Sequence, residues 1–138
     1  MAEGSTFPAA GMELTNILVV SDLARSVAWY RDVLSAELTG EYGGTSAVFN
    51  FQGAWLLVVT GGGETEDKPG TEFAPPADPA RISHSITIRV PDCRAAYETL
   101  KARGAEFLAE PHDWGWEVRA FFRDPDGHLF EVSEARRG

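Results

Sequence analysis

The feature that most constrains this chain is an internal duplication. Leu14-Thr15-Asn16-Ile17-Leu18-Val19-Val20, rich in branched aliphatics, reads as a strand, and Ser21-Asp22 follows it. Asp22 is a good helix N-cap. Leu23, Val27, Tyr30 and Leu34 then recur at helical spacing, which predicts an amphipathic helix to about Leu34. The pattern returns about 70 residues later. Ser85-Ile86-Thr87-Ile88-Arg89-Val90 is a strand, and Asp92 is again an N-cap. Cys93, Ala96, Tyr97 and Leu100 repeat the helical face, and Gly104 is a C-cap candidate.

Each helix is followed by more strands. In the first copy, Glu37 to Tyr42 reads as a short strand. Thr45 to Phe49 and Trp55 to Thr60 form a hairpin around Asn50-Phe51-Gln52-Gly53. In the second, Phe107 sits in a strand, and Trp116 to Arg123 with Leu129 to Ser133 form the matching hairpin. Both copies are β-α-β-β-β. The period is too long for a solenoid repeat, so the fold class is α+β, two βαβββ modules. Module one covers about 12–60 and module two about 84–134 of a single domain spanning 1–138, long enough to bury a core. Residues 1–11 read as a loose tail. Residues 61–83 differ in composition, with Gly61-Gly62-Gly63, an acidic patch and Pro69, Pro75, Pro76 and Pro79. They form a connector or a mobile loop over a site.

The second hairpin turns at Asp124-Pro125-Asp126-Gly127, where proline presets φ and glycine accepts a positive one. With the turn at these four residues, His128 stands opposite Arg123, Leu129 faces Phe122 and Glu131 faces Ala120. Alternation then puts Trp116, Val118, Ala120, Phe122, Leu129, Glu131 and Ser133 on one face. Glu131 is a lone carboxylate on an otherwise apolar surface, either a ligand-binding group or a tolerated rim residue.

Charge and length exclude some partners. The net charge of −9 argues against nucleic acid, whose phosphates demand basic patches. No apolar run approaches the roughly 20 residues that span a bilayer, and the first residues lack the pattern of a secretory signal. A single cysteine, Cys93, excludes an internal disulfide and fits a reducing cytoplasm.

Three segments carry a resemblance over about Glu13 to Glu134. They are Val19-Val20-Ser21-Asp22-Leu23-Ala24-Arg25-Ser26-Val27-Ala28-Trp29-Tyr30, then Ile88-Arg89-Val90-Pro91-Asp92-Cys93-Arg94-Ala95-Ala96-Tyr97, and Phe122-Arg123-Asp124-Pro125-Asp126-Gly127-His128-Leu129-Phe130-Glu131. Together they resemble the vicinal oxygen chelate superfamily: glyoxalase I, extradiol dioxygenases, fosfomycin resistance enzymes and bleomycin-resistance proteins. The resemblance implies paired half-barrels that enclose a ligand cavity, commonly completed in a homodimer. It does not fix a reaction, because this fold hosts many.

The resemblance also locates the metal positions of the family's enzymes, early on each module's first strand and on its last strand. Counting back seven positions from Asp22 and Asp92 gives Thr15 and Ser85, and the last strands give Leu57 and Glu131. A divalent metal needs about three protein donors from His, Asp, Glu or Cys. Only Glu131 qualifies, so no metal and no cofactor is expected. His84 lies one residue from a ligand position and would need a bulge to turn inward. His112 and His128 fall in loop and turn positions.

The remaining inner face is apolar and aromatic. Module one contributes Ile17, Val19, Ser46, Val48, Trp55, Leu57 and Val59 beside Thr15. Module two contributes Ser85, Thr87 and Arg89, with Trp116, Phe122 and Glu131 from the second hairpin. Trp114-Gly115-Trp116 also resembles the tryptophan-glycine stretch of drug-binding relatives. The favoured reading is non-catalytic binding of a hydrophobic aromatic molecule, antibiotic sequestration in the manner of the bleomycin-resistance branch. Its expected ligand-binding residues are Thr15, Trp55, Leu57, Ser85, Thr87, Arg89, Trp116, Phe122 and Glu131. The alternatives are an enzyme of the same fold, metal-dependent or metal-free with Glu131 as general base, and a regulatory protein that binds a protein partner through its acidic surface.

Overall fold

A computed structural model of the chain describes residues 6–136. The first five residues of the expected tail lie outside that range. The described residues fold as β1 (Thr15–Val20), α1 (Leu23–Asp32), β2 (Glu37–Tyr42), β3 (Ser46–Phe51), β4 (Ala54–Thr60), β5 (Ser85–Arg89), α2 (Cys93–Ala102), β6 (Glu106–Phe107), β7 (His112–Asp113), β8 (Glu117–Arg123) and β9 (Leu129–Ala135). The first sheet runs β1-β4-β3-β2 and the second β5-β9-β8-β6, with β7 as an extra short strand on β8. Each module thus places its first strand parallel to its last, at the sheet edge.

Local chemistry explains the repeat. The Asp22 carboxylate accepts the Arg25 N–H at 3.1 Å, and Asp92 accepts the Ala95 N–H at 3.0 Å, so both helices start on the expected caps. Each helix buries one stripe: Ser26, Val27 and Tyr30 on α1, Cys93, Tyr97 and Leu100 on α2. The core faces of both sheets, with Leu18, Val20, Phe49 and Val58 from one and Phe122, Phe130 and Val132 from the other, join these stripes in one cluster. Burial of that apolar surface is the main stabilising term, at about 25 cal/mol per Å².

The two hairpins turn differently. Between β3 and β4, Phe51 pairs with Ala54, leaving a two-residue loop of Gln52 and Gly53, both at positive φ (49° and 91°). That is the tight turn whose twist suits a hairpin. Between β8 and β9 the loop is longer than the sequence reading allows. Asp124 Oδ1 accepts the N–H groups of Asp126 (3.0 Å) and His128 (2.8 Å), which holds Asp124 to His128 together as the connection. Arg123 therefore pairs with Leu129, Phe122 with Phe130, Phe121 with Glu131 and Arg119 with Ser133.

This corrects the expected register by one residue, and a one-residue slip moves every side chain to the other face. Phe122 does not share a face with Glu131. It is fully buried and stacks on Phe130 with centroids 5.5 Å apart. Trp116 precedes β8 and is 62% exposed.

The connector is a built structure. Gly62 and Phe73 exchange backbone hydrogen bonds, the Lys68 ammonium donates to Gly63 O and Thr71 O, and Arg123 donates to Pro79 O. No helix among the described residues is long and apolar enough to cross a membrane.

Candidate binding face

On the first sheet the parity is as the sequence predicts. Thr15 lies opposite Trp55, Ile17 opposite Leu57 and Val19 opposite Val59, while Val48 faces Leu57 from β3. These residues share the face turned away from the core. Trp55, Leu57 and Val59 are half-buried there, and Ile17 is exposed.

On the second sheet, Ser85 lies opposite Leu129, Thr87 opposite Glu131 and Arg89 opposite Ser133. The corrected register adds Glu117, Arg119 and Phe121 from β8, and His112 opposite Arg119 from β7. Trp114 replaces Trp116 here. Its backbone N–H donates to Glu117 O, and the Arg119 guanidinium lies 5.3 Å from its ring centroid and 5.6 Å from that of Phe121. Trp114 and Phe121 are thus the aromatic residues of this face, where the sequence reading placed Trp116 and Phe122.

This half is polar as well as aromatic, contrary to the apolar setting expected for Glu131. Thr87 Oγ1 donates to Glu131 Oε1 at 2.5 Å, and Arg119 Nε stands 3.9 Å from the other carboxylate oxygen. Beside it, Glu117 is 6% exposed. It accepts from Arg89 at 3.1 Å and from Arg119 at 3.3 Å, and the Ser133 hydroxyl donates to it. The Ser133 bond, followed by the two guanidinium groups, holds the Glu117 carboxyl below its ordinary range, against the opposing cost of burial. Arg89 also donates to Ser133 at 2.6 Å, yet its side chain is 66% exposed. The sequence missed Glu117, Arg119, Phe121 and Trp114. One signal could have found them: β8 alternates polar Glu117 and Arg119 with apolar Val118 and Ala120. Matching that polar parity to Glu131 and Ser133 on β9 gives the observed register.

The strand registers locate the four metal positions that the resemblance implies. Leu57 lies opposite Ile17 just as Glu131 lies opposite Thr87, so Leu57 and Glu131 are structural counterparts. Thr15 and Ser85 begin the two edge strands. One carboxylate, two hydroxyls and a leucine do not form a divalent-metal donor set. Arg119 beside Glu131 further opposes a cation there. Among the described residues, no group of three or more His, Cys, Asp or Glu side chains could hold a metal ion. His84 stays exposed before β5. It lines a cavity of about 490 Å³ with Ile17, Val19, connector residues and His128, whose Nε2 lies 2.7 Å from Val19 O.

Comparison with known proteins identifies the fold. Residues 12–132 match the family model described as Glyoxalase/Bleomycin resistance protein/Dioxygenase superfamily. A probable lactoylglutathione lyase of Vibrio parahaemolyticus is 30% identical over 92% of this chain and 93% of its own length. A metallothiol transferase FosB of Staphylococcus epidermidis is 32% identical over 82% of this chain and 76% of its own. The crystal structure of a glyoxalase/bleomycin resistance protein/dioxygenase from Nocardioides superposes with a TM-score of 0.69 at 26% identity, covering 94% of this chain and 87% of that one.

Proposed function

The chain belongs to the glyoxalase/bleomycin resistance/dioxygenase superfamily, and from that premise we propose that it binds a planar, hydrophobic small molecule and sequesters it unchanged, as a resistance protein does. The observation that carries this reading is the set Thr15, Leu57, Ser85 and Glu131 at the family's four metal positions. Glu131 is engaged by Thr87 and flanked by Arg119. Such a set lacks the donors that a step through a divalent metal requires.

What the inner faces offer is recognition. Trp55 and Leu57 supply apolar surface on one sheet, and Trp114 and Phe121 supply it on the other. Aromatic pairs add about 0.5–1.5 kcal/mol each beyond burial. Ser85, Thr87 and the open edge of Arg89 orient polar substituents. Both first strands are sheet edges, and Leu14 and Ile17 are exposed along the first. A second copy would cover them and close each face into a cavity, so the binding unit is a homodimer.

Titration with planar aromatic antibiotics tests the reading. Tryptophan fluorescence quenches, and mass spectrometry recovers the ligand intact. The metal-free enzyme is the second reading, because the family's glutamate is retained as a buried carboxylate, 9% exposed, with a hydroxyl donor. A modified product that disappears in Glu131→Gln would overturn sequestration in its favour.

A further inference from the structure

The duplication supplies an internal control for a second site. The parallel registers make Asp22 the counterpart of Asp92, which pairs Trp29 with Thr99 and Tyr30 with Leu100. The hairpin registers likewise make Phe51 the counterpart of Asp124.

At the α1 face the inner part of the groove between the modules is filled, and what stays open is a polar cleft of about 300 Å³ beside Arg25, Arg123 and Asp124. Tyr30 is fully buried against Asp124, and the Trp29 indole lies 6.2 Å from Phe122 and 5.8 Å from Phe130, centroid to centroid. Beneath them Leu18, Val20 and Ser26 are sealed, at 1%, 1% and 0% exposure.

At the α2 face, Thr99 stands where Trp29 stands and Ala95 where Arg25 stands. Ile88, Val90 and Ala96, the counterparts of those three sealed residues, are left only half-buried. They open a groove of about 370 Å³ whose far wall is Leu34 and Phe51 from module one. Asp92 and Thr99 are the side chains at its rim able to hydrogen-bond.

We propose that this groove binds a planar heteroaromatic molecule of one or two rings, about the size of an indole. The void lies where the other copy holds an indole ring. Large-to-small replacement in a packed interface leaves a space that accepts the missing group's shape. Its volume sits at the lower end of the roughly 300–1,000 Å³ of ligand pockets, and its walls are apolar. The Asp92 carboxylate and Thr99 hydroxyl are acceptors for a ring N–H. Ile88 and Val132 line the groove from the faces of β5 and β9 opposite to Thr87 and Glu131, so one sheet separates it from the inner face.

The test uses indole as the probe and the full chain, followed by amide chemical shifts. Saturable shifts at Val90, Ala95, Ala96 and Thr99 are expected, and they persist in Trp55→Ala. Thr99→Trp, which installs the counterpart residue, raises the dissociation constant at least tenfold at an unchanged circular-dichroism spectrum. Ala95→Phe, at the exposed lip, does the same and serves where Thr99→Trp does not fold. Shifts centred on Thr87, Arg89 and Glu131, the absence of saturable shifts, or equal binding in both variants would overturn the proposal. So would indole shifts that shrink as the protein concentration is raised at constant free indole, because a second copy would then compete for the groove.

Discussion

The Tyr30 hydroxyl donates to the Asp124 carboxylate at 2.7 Å, a buried bond that joins the helix of module one to the turn of module two across 94 positions of sequence. Neighbouring contacts reinforce it. Ser21 N–H donates to Asp126 Oδ1, Arg25 lies 3.5 Å from the same carboxylate, and the His128 ring reaches Val19 O. The Asp-Pro-Asp-Gly turn is therefore a clasp between modules as well as a reversal of the chain.

Removing that hydroxyl exposes the cost of the buried carboxylate. Tyr30→Phe should lower stability by about 1.5–3 kcal/mol at neutral pH, the range for hydrogen bonds to charged groups. Burial raises the Asp124 pKa above its ordinary 3.8, and the Tyr30 bond pulls it back. The folded state thus holds this proton more readily than the unfolded state, so the group's contribution to stability falls as pH rises through the window above 3.8. Without Tyr30 the fall steepens. Urea unfolding should show a deficit that is smaller in acid than at neutral pH; a pH-independent deficit would contradict the argument.

Glu117 works in the opposite sense. Its folded pKa is depressed, chiefly by the Ser133 hydroxyl, then by Arg89 and Arg119. Its stabilisation is complete above the ordinary glutamate value of 4.5 and is lost as pH falls through the lowered one. Glu117→Gln should therefore be less stable than the parent at pH 7 and converge with it in acid. Melting temperatures across that range are the measurement, and parallel curves would refute it.

Trp114 and Trp116 separate the observed register from its one-residue slip. Under the proposed function, Trp114→Ala weakens binding of a planar antibiotic by several-fold, and Trp116→Ala changes it less. Fluorescence titration of both variants decides, and the reverse order would place the ligand off the Arg119 face.

The donor set can be rebuilt. Thr15→His combined with Ser85→His places two imidazoles at the family's first-strand positions, with Glu131 as the third donor. Calorimetric titration with zinc should show affinity absent from the parent and reduced by Glu131→Gln. No gain in the double variant, even with Arg119→Ala added to remove the opposing charge, would mean that these positions do not converge.

The two βαβββ modules, both N-caps and the inner face of the first sheet are written locally in the sequence. Strand alternation carries through the first hairpin because Gln52 and Gly53 form a two-residue loop, which leaves no freedom of register. The second hairpin does not have that property. Asp-Pro-Asp-Gly-His closes equally well on paper as four residues or five. The Asp124 side chain selects five by bonding two backbone N–H groups, while its other oxygen is held by Tyr30 from the distant helix. That long-range contact decides whether Phe121 or Phe122, and Trp114 or Trp116, faces Glu131. The groove at Thr99 is likewise invisible to local pattern, since small residues on a helix face declare a void only when the opposing wall, Leu34 and Phe51, is in place. Local periodicity set the elements and their amphipathic faces; the register of the second sheet and the fit between modules came from contacts that form only once the chain has folded.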